Sequence, residues 1–255
     1  MSKPIADWQL PPGVDRGLWE YVHDGHLVSR YDDGLKDCGL VKIDQQFVEK
    51  NCTRSGPVID LGCGTGRTLL PFAQRGHWTL GVDLSEDMLR AVTTKAIQAN
   101  VEIHCLKANL VELGGIRDNT FANAVCMFST LGMIVGEANR RQMLQHVHRI
   151  LQPGGRFVLH VHNRWFHLWT AKGRSWLWQY FRHGDSPMPA HDRRAGFTLH
   201  LFTRREICEL LRQVGFRILQ VQPISEREDG EISRPMLMSS LRAYGFLIAV
   251  EKLGG

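Results

Sequence analysis

From Pro57 onward the chain alternates short apolar runs with helical patterns, and this alternation constrains its fold more than any other feature. "PVIDL", "WTLGV", "VEIHCL", "FANAVCMF" and "RFVLHV" are runs of strand length. Helical spacing separates them, most clearly over Ser85–Ala99 and Glu137–Leu151. Strands joined by helical crossovers pair in parallel, because each crossover must return over a face of the sheet. Ser85 is placed as an N-cap, with Glu86 and Asp87 complementing the helix dipole in the first turn. Pro153–Gly155 predicts a break between a helix and the fifth strand. Thr203 and Glu206 stand at capping-box spacing, and Gly215 closes that helix. Two more strand-like runs follow, "FRILQVQPI" and "RAYGFLIAV", separated by about residues 226–241 without a helical stripe. They predict an antiparallel hairpin. The expected class is α/β: a Rossmann-like seven-stranded mixed sheet with helices on both faces and the last strand antiparallel.

Two segments stand outside the alternation. Residues 1–56 read as an N-terminal helical cap, with Leu18, Tyr21 and Val22, and then Leu40, Ile43, Phe47 and Val48, at helical spacing. Residues 57–255 form the second expected domain, and within it 163–200 reads as an insertion over the carboxyl end of the sheet. That insertion holds four of the seven tryptophans, Trp165, Trp169, Trp176 and Trp178, among basic residues. The six cysteines are scattered singly through apolar runs, with no Cys-x-x-Cys pair, which fits a reducing compartment and excludes an obvious zinc site. There is no apolar run long enough for a membrane span and no signal-peptide pattern at the start, so a cytoplasmic location is the expectation. The net charge of +5 permits an acidic partner such as RNA without requiring one.

The stretch "VIDLGCGTGR", Val58 to Arg67, places three glycines on alternate positions directly after the first strand. In an open parallel sheet, ligands bind at the carboxyl ends of the strands where strand order reverses. Gly62, Gly64 and Gly66 let the turn pass close beneath a ligand. Asp83, in "GVDLS" at the end of the second strand, is positioned to accept both hydroxyls of a ribose. A dinucleotide-binding turn has its third glycine one residue later, so this spacing disfavours NAD.

The motif "DLGCGTG" resembles motif I of the class I S-adenosylmethionine (SAM) dependent methyltransferases, with the broad methyltransferase type 11 or 25 group the nearest in appearance. The resemblance runs over roughly residues 57–252. It includes Asp83, Met88 and Leu89 in "S-x-x-M-L", "LKANLVEL", "VCMFSTLG" and "LQPGGRFVLHV". One departure is "TFANAV", where an aspartate usually follows the phenylalanine. The resemblance implies SAM as cofactor. Asp60 would lie near the methionine amino group and Asp83 at the ribose. Asn109 stands where the family usually offers an aspartate to the adenine. Gly62, Cys63, Gly64, Thr65, Gly66, Leu84, Leu110 and Phe128 complete the implied cofactor set. Tyr31 in "SRYDD" is an expected contact to the methionine end, reached from the cap.

Methyl transfer from a sulfonium needs mainly alignment of the acceptor, and a base helps when the acceptor carries a proton. His162, at the carboxyl end of the fifth strand, is the candidate base; its other reading is a structural histidine bonded to a loop carbonyl. The tryptophan-rich insertion reads as a packed lid, an apolar substrate pocket, an RNA-stacking surface or an interfacial contact. The expected acceptor is a small molecule or lipid-like metabolite. The alternatives are tRNA or other RNA, and a SAM-binding regulatory domain without catalysis.

Overall fold

The computed structural model describes residues 5–35, 38–169, 174, 186–187, 198–225 and 239–254. Its centre is a seven-stranded sheet of β1 (Val58–Leu61), β2 (Thr79–Asp83), β3 (His104–Lys107), β4 (Phe121–Cys126), β5 (Leu151–His162), β6 (Phe216–Ile224) and β7 (Gly245–Lys252). Spatial order is β3-β2-β1-β4-β5-β7-β6. The first five strands pair in parallel, and β7 runs antiparallel to both β5 and β6. β1 therefore has its successor on one side and β4 on the other. That reversal opens a crevice above the carboxyl end of β1.

Alternation along the strands feeds two separate cores. Ile59 and Leu61 of β1 pack with Val82, Leu144, Val147 and Leu211 on the face covered by α7 (Glu137–Ile150) and α8 (Arg204–Val214). Val58 packs on the opposite face with Phe47, Val48, Val125 and Val158, beneath α3 (Gly39–Asn51). Asp60 shares the second face with Val58, because side chains two apart on a strand point the same way. This alternation puts a carboxyl group into an otherwise apolar strand.

The helix signals operate locally as expected. α5 (Glu86–Gln98) is capped by Ser85, whose hydroxyl accepts the Met88 N–H. α8 carries the full capping box of Thr203 and Glu206 and ends at Gly215, φ +108°. α4 (Leu69–Gln74) follows the glycine turn, and α6 (Thr130–Met133) follows β4. Beyond the sheet, a two-residue ribbon pairs Ser186–Pro187 with Thr198–Leu199, and α9 (Ser239–Arg242) precedes β7.

Two features depart from the sequence reading. Pro153–Gly155 does not separate helix from strand, because β5 begins at Leu151, directly after α7. Phe121 pairs with Leu151 and the next pair is Asn123 with Arg156, so residues 152–155 bulge out of the ladder. Gly154, at φ +72°, supplies the left-handed turn this bulge requires. The second departure is α2 (Leu27–Leu35), between α1 (Arg16–Val22) and α3, in a stretch to which apolar spacing assigns no helix. Its polar contacts lie with the glycine turn and with α5, not the sheet: Thr65 donates to Asp32 at 2.7 Å, and Lys95 of α5 pairs with Asp32 at 2.7 Å.

Candidate active site

Above the carboxyl ends of β1, β2, β4 and β5 lies a cavity of about 400 Å³, within the range of small-molecule sites. The glycine turn forms its floor. Gly62 has φ +77°, and a Cβ there would stand 2.5 Å from the Thr130 side chain. Gly64 has φ +51°, and a Cβ would meet the Tyr31 ring at 3.3 Å. Both positions therefore need glycine, for backbone conformation and for space. α2 lies over the turn from the other side, which brings Tyr31 to the cavity wall.

Asp83 anchors the turn. One carboxylate oxygen accepts the Gly64 N–H at 2.9 Å and the other accepts the Ser85 N–H at 2.8 Å. Burial raises its pKa against the pull of these backbone donors. Asp60 is different. It lines the cavity with only 2% of its surface exposed, and no hydrogen bond among the described residues ends on its carboxyl. Burial pushes its pKa up to about 7; Arg67 pulls it down and Asp83 adds to the rise. A buried carboxyl without a donor is costly unless a cation or donor arrives. Among the described residues the cavity thus holds two carboxyl groups against the guanidinium of Arg67, an arrangement suited to a positively charged ligand.

The turn after β4 is strained. Phe128 and Ser129 have φ +52° and +60°, left-handed values unusual for side-chain-bearing residues. β5 clamps them in place: Ser129 N–H donates to the His160 carbonyl at 3.0 Å, and the Ser129 hydroxyl accepts the His162 N–H at 3.2 Å. The clamp sets Phe128 into the cavity wall beneath Arg67, whose guanidinium lies 4.7 Å from the ring centre. His162 lines the same cavity, its ring 4.7 Å from Tyr244 and 5.3 Å from His160. His160 is turned away into the core against Asp44, Nδ1 to Oδ2 3.3 Å.

Most residues singled out in the sequence meet here. Tyr31, Asp60, Gly62, Cys63, Gly64, Asp83, Leu84, Asn109, Leu110, Phe128 and His162 all line the cavity. Thr65 and Gly66 sit behind it, Thr65 bonded to Asp32 and Gly66 packed against Val92. The Asn109 oxygen accepts the Val111 N–H at 3.1 Å, and its amide nitrogen donates to the Pro12 carbonyl at 2.9 Å. One lone pair of that oxygen remains for a ligand donor. Outside the cavity, His200 is bonded to Glu206, which also pairs with Arg164 at 2.7 Å. Trp165 is half-buried beyond the end of β5, while Trp176 and Trp178 fall outside the described residues.

The sequence reading did not assign Leu18, Tyr21 and Val22 of α1, Met133 of α6, or Arg67 to the cavity, and all five line it. The α1 stripe was legible as helical, but nothing in the sequence places that stripe over β1.

A sheet of this order, with a glycine turn after β1, an acid within β1 and an acid ending β2, defines the Rossmann-like fold of the class I methyltransferases. Residues 58–155 match the family model of the methyltransferase domain. A protein of Geobacillus sp. (strain WCH70), whose methyltransferase name is provisional, is 31% identical over 124 residues, 47% of this chain and 49% of its own length. A SAM-dependent methyltransferase from Methanosarcina mazei superposes with a TM-score of 0.67 at 22% identity, covering 82% of this chain and 97% of its own. The 1,6-didemethyltoxoflavin-N1-methyltransferase of Burkholderia thailandensis, solved with its substrate and S-adenosylhomocysteine, gives 0.62 at 19% identity over 100% and 94% of the two chains. These two structures establish the fold. The chain spans about half to three-fifths of the length of the first curated relatives it matches. Over residues 58–155 the chain therefore matches a methyltransferase domain, and its fold is that of the class I SAM-dependent methyltransferases, a family whose cofactor is SAM. Among the described residues, no helix is long and apolar enough to cross a membrane.

Proposed function

We propose that this protein transfers the methyl group of SAM to a small-molecule acceptor. Asp60 carries the reading: a buried carboxyl facing the cavity with no hydrogen-bond donor of its own suits a cationic ligand group. SAM bound here would supply a methyl group activated by the sulfonium it leaves. Asp60 would take the ammonium of the amino-acid end. Asp83, held rigid by two backbone N–H groups, would accept from the ribose hydroxyls. Asn109 and Leu110 would border the base, and Gly62, Cys63 and Gly64 would underlie the tail and sugar. Thr65 and Gly66 would support the turn from behind.

On the acceptor side, His162 stands in the cavity wall beside Tyr244, with its backbone fixed by Ser129. From there it would take a proton from an acceptor O–H or N–H as the methyl arrives. Apolar side chains from α1, together with Met127 and Met133, would exclude water from the reacting atoms. The Burkholderia neighbour, whose named acceptor is a small molecule, supports this class of acceptor. We place residues 1–56 as a cap that closes the site, 57–255 as the transferase domain, and 163–200 as an insertion that contributes to acceptor choice. A cytoplasmic setting is supported by the six free thiols.

The test has two arms. Calorimetry should show S-adenosylhomocysteine binding and no NAD binding; the reverse would sink the reading. A screen of metabolites and of tRNA with labelled SAM then reads where the label goes. Label in tRNA alone would replace the small-molecule acceptor by RNA, and SAM binding with no transfer to any acceptor would favour a regulatory domain. With an acceptor in hand, His162→Gln should slow turnover by about 10²–10⁴ and flatten the acid limb of the pH profile.

A further inference from the structure

Behind the cavity wall lies a buried pair that the chemistry above does not use. Asp44 of α3 and His160 of β5 are almost wholly buried, with Nδ1 3.3 Å from Oδ2. As a carboxylate Asp44 can only accept, so Nδ1 carries the ring proton and Nε2 keeps its lone pair. Neither group is fully satisfied, since Asp44 Oδ1 and His160 Nε2 have no partner among the described residues. Gly245 faces the open ring edge, and a Cβ there would stand 2.9 Å from Nε2. A buried acid and imidazole with two orphaned atoms stabilise a core less than well-packed apolar side chains would. Packing alone therefore gives no reason for the pair. Its neighbour does. His160 and His162 alternate on β5, so their side chains leave the same face of the strand. The two rings stand edge to face, with centroids 5.3 Å apart and planes at 67°. His162 lines the cavity and His160 does not. From core to cavity the order is thus carboxylate, imidazole, imidazole. Ser129 fixes the His162 backbone, and the Tyr244 ring lies 4.7 Å from the His162 ring. The other titratable groups on the cavity are Asp60, Cys63, Arg67 and Asp83 from the strand ends, and Tyr21, Tyr31 and Cys38 from the cap. Arg67 also approaches Asp44, Nη2 to Oδ2 3.9 Å, and offsets part of its charge.

We propose that Asp44 and His160 are positioning residues for His162. The pair holds the His162 ring in orientation and sets a negative charge behind it, which favours the imidazolium formed when His162 takes the proton of the acceptor. The proposal rests on the reading of His162 as the base. An apolar core behind His162 would leave that developing cation to be stabilised from the cavity alone. Here the bond to Asp44 fixes the His160 ring, and the edge of one imidazole against the face of the other limits how His162 can turn. Neither Asp44 nor His160 lines the cavity, so both act through His162 and not on a ligand.

An NMR titration of the His162 ring in the protein without cofactor tests it apart from catalysis, with His162→Gln identifying the signal. Asp44→Asn keeps the shape of the side chain and removes its charge. It should lower the His162 midpoint by about half to one pH unit, a loss of about threefold to tenfold in proton affinity. That is the effect of a unit charge one ring away at an effective dielectric of about 20, partly offset by Arg67. His160→Asn, whose amide can still donate to Asp44, should shift the midpoint less. With an acceptor in hand, the acid limb of kcat/KM for Asp44→Asn should move to lower pH by the same amount. Its plateau should fall several-fold, because a weaker base takes the proton, while the KM for SAM stays unchanged. If Asp44→Asn does not fold, Asp44→Leu combined with His160→Phe, an apolar replacement of the whole pair, should give the same downward shift. A slower enzyme with an unmoved His162 midpoint would make the pair merely structural and overturn the proposal. A midpoint that rises, or failure of every variant to fold, would overturn it too. If His162→Gln leaves turnover unchanged, the reading of His162 as the base falls and the proposal with it, whatever the titration shows.

Discussion

Asp60→Asn should make the ligand-free protein more stable at neutral pH and above, while removing most of its affinity for the cofactor. The carboxyl pKa moves from 3.8 to about 7 on folding, which at 1.36 kcal/mol per decade corresponds to about 4 kcal/mol against the charged form. The folded state therefore holds a proton on Asp60 that the unfolded chain releases between about pH 4 and pH 7. Over that window this carboxyl lowers stability as pH rises, and above pH 7 the loss is complete. Asparagine carries no such charge, so the variant should gain about 2–4 kcal/mol relative to the native protein at pH 8 and nothing near pH 4. The gain is smaller than the full figure because an amide also lacks partners there. Urea unfolding of both proteins at pH 4, 5, 6, 7 and 8 without ligand reads the difference, in which the other titrating groups cancel. Binding should run the opposite way. Below pH 7 the cationic end of the ligand must displace a proton from Asp60, so native affinity for S-adenosylhomocysteine should fall about tenfold per pH unit. Parallel stability curves for the two proteins, or a variant less stable at pH 8, would refute the reasoning. Either would mean that Asp60 has a partner in the folded protein.

Gly64→Ala should cost about 1–3 kcal/mol and lower the melting temperature by several degrees, since φ +51° disfavours a side chain and the Cβ presses on Tyr31. It should also weaken cofactor binding, as calorimetry would show. Ser129→Ala should destabilise by about 1–3 kcal/mol, because the His162 N–H loses its acceptor; an unchanged unfolding midpoint would show that water replaces the hydroxyl. Thr203→Ala, which removes the capping box of α8, should cost about 1 kcal/mol without any effect on ligand affinity. Trp165→Ala should spare S-adenosylhomocysteine affinity and slow turnover of the true acceptor, whereas loss of cofactor binding in a folded variant would move this side chain into the cofactor pocket.

The sequence by itself determined the sheet and the crevice at the carboxyl ends of β1 and β2. Short apolar runs separated by capped helices permit few arrangements other than a parallel sheet, and the ends of β1 and β2 then carry Gly62, Gly64, Asp60 and Asp83 to one crevice. These are local signals: a strand end fixes where its next residue lies. What the tertiary structure decided comes from elements distant in the chain. α2 has no sheet-facing stripe and forms against the glycine turn through Tyr31 and Asp32, contacts that no periodicity encodes. The bulge in β5 at Gly154 depends on how β4 pairs with it. Asp60 reads in the sequence as one more motif residue. Only burial on a particular face of β1, with no hydrogen-bond donor on it among the described residues, raises its pKa to about 7 against the pull of Arg67. Asp44 and His160 are 116 residues apart and meet because α3 crosses the face of β5 that His160 happens to share. Such pairings depend on where two separately legible elements cross, and the crossing is set by packing of the whole core rather than by any stretch of sequence.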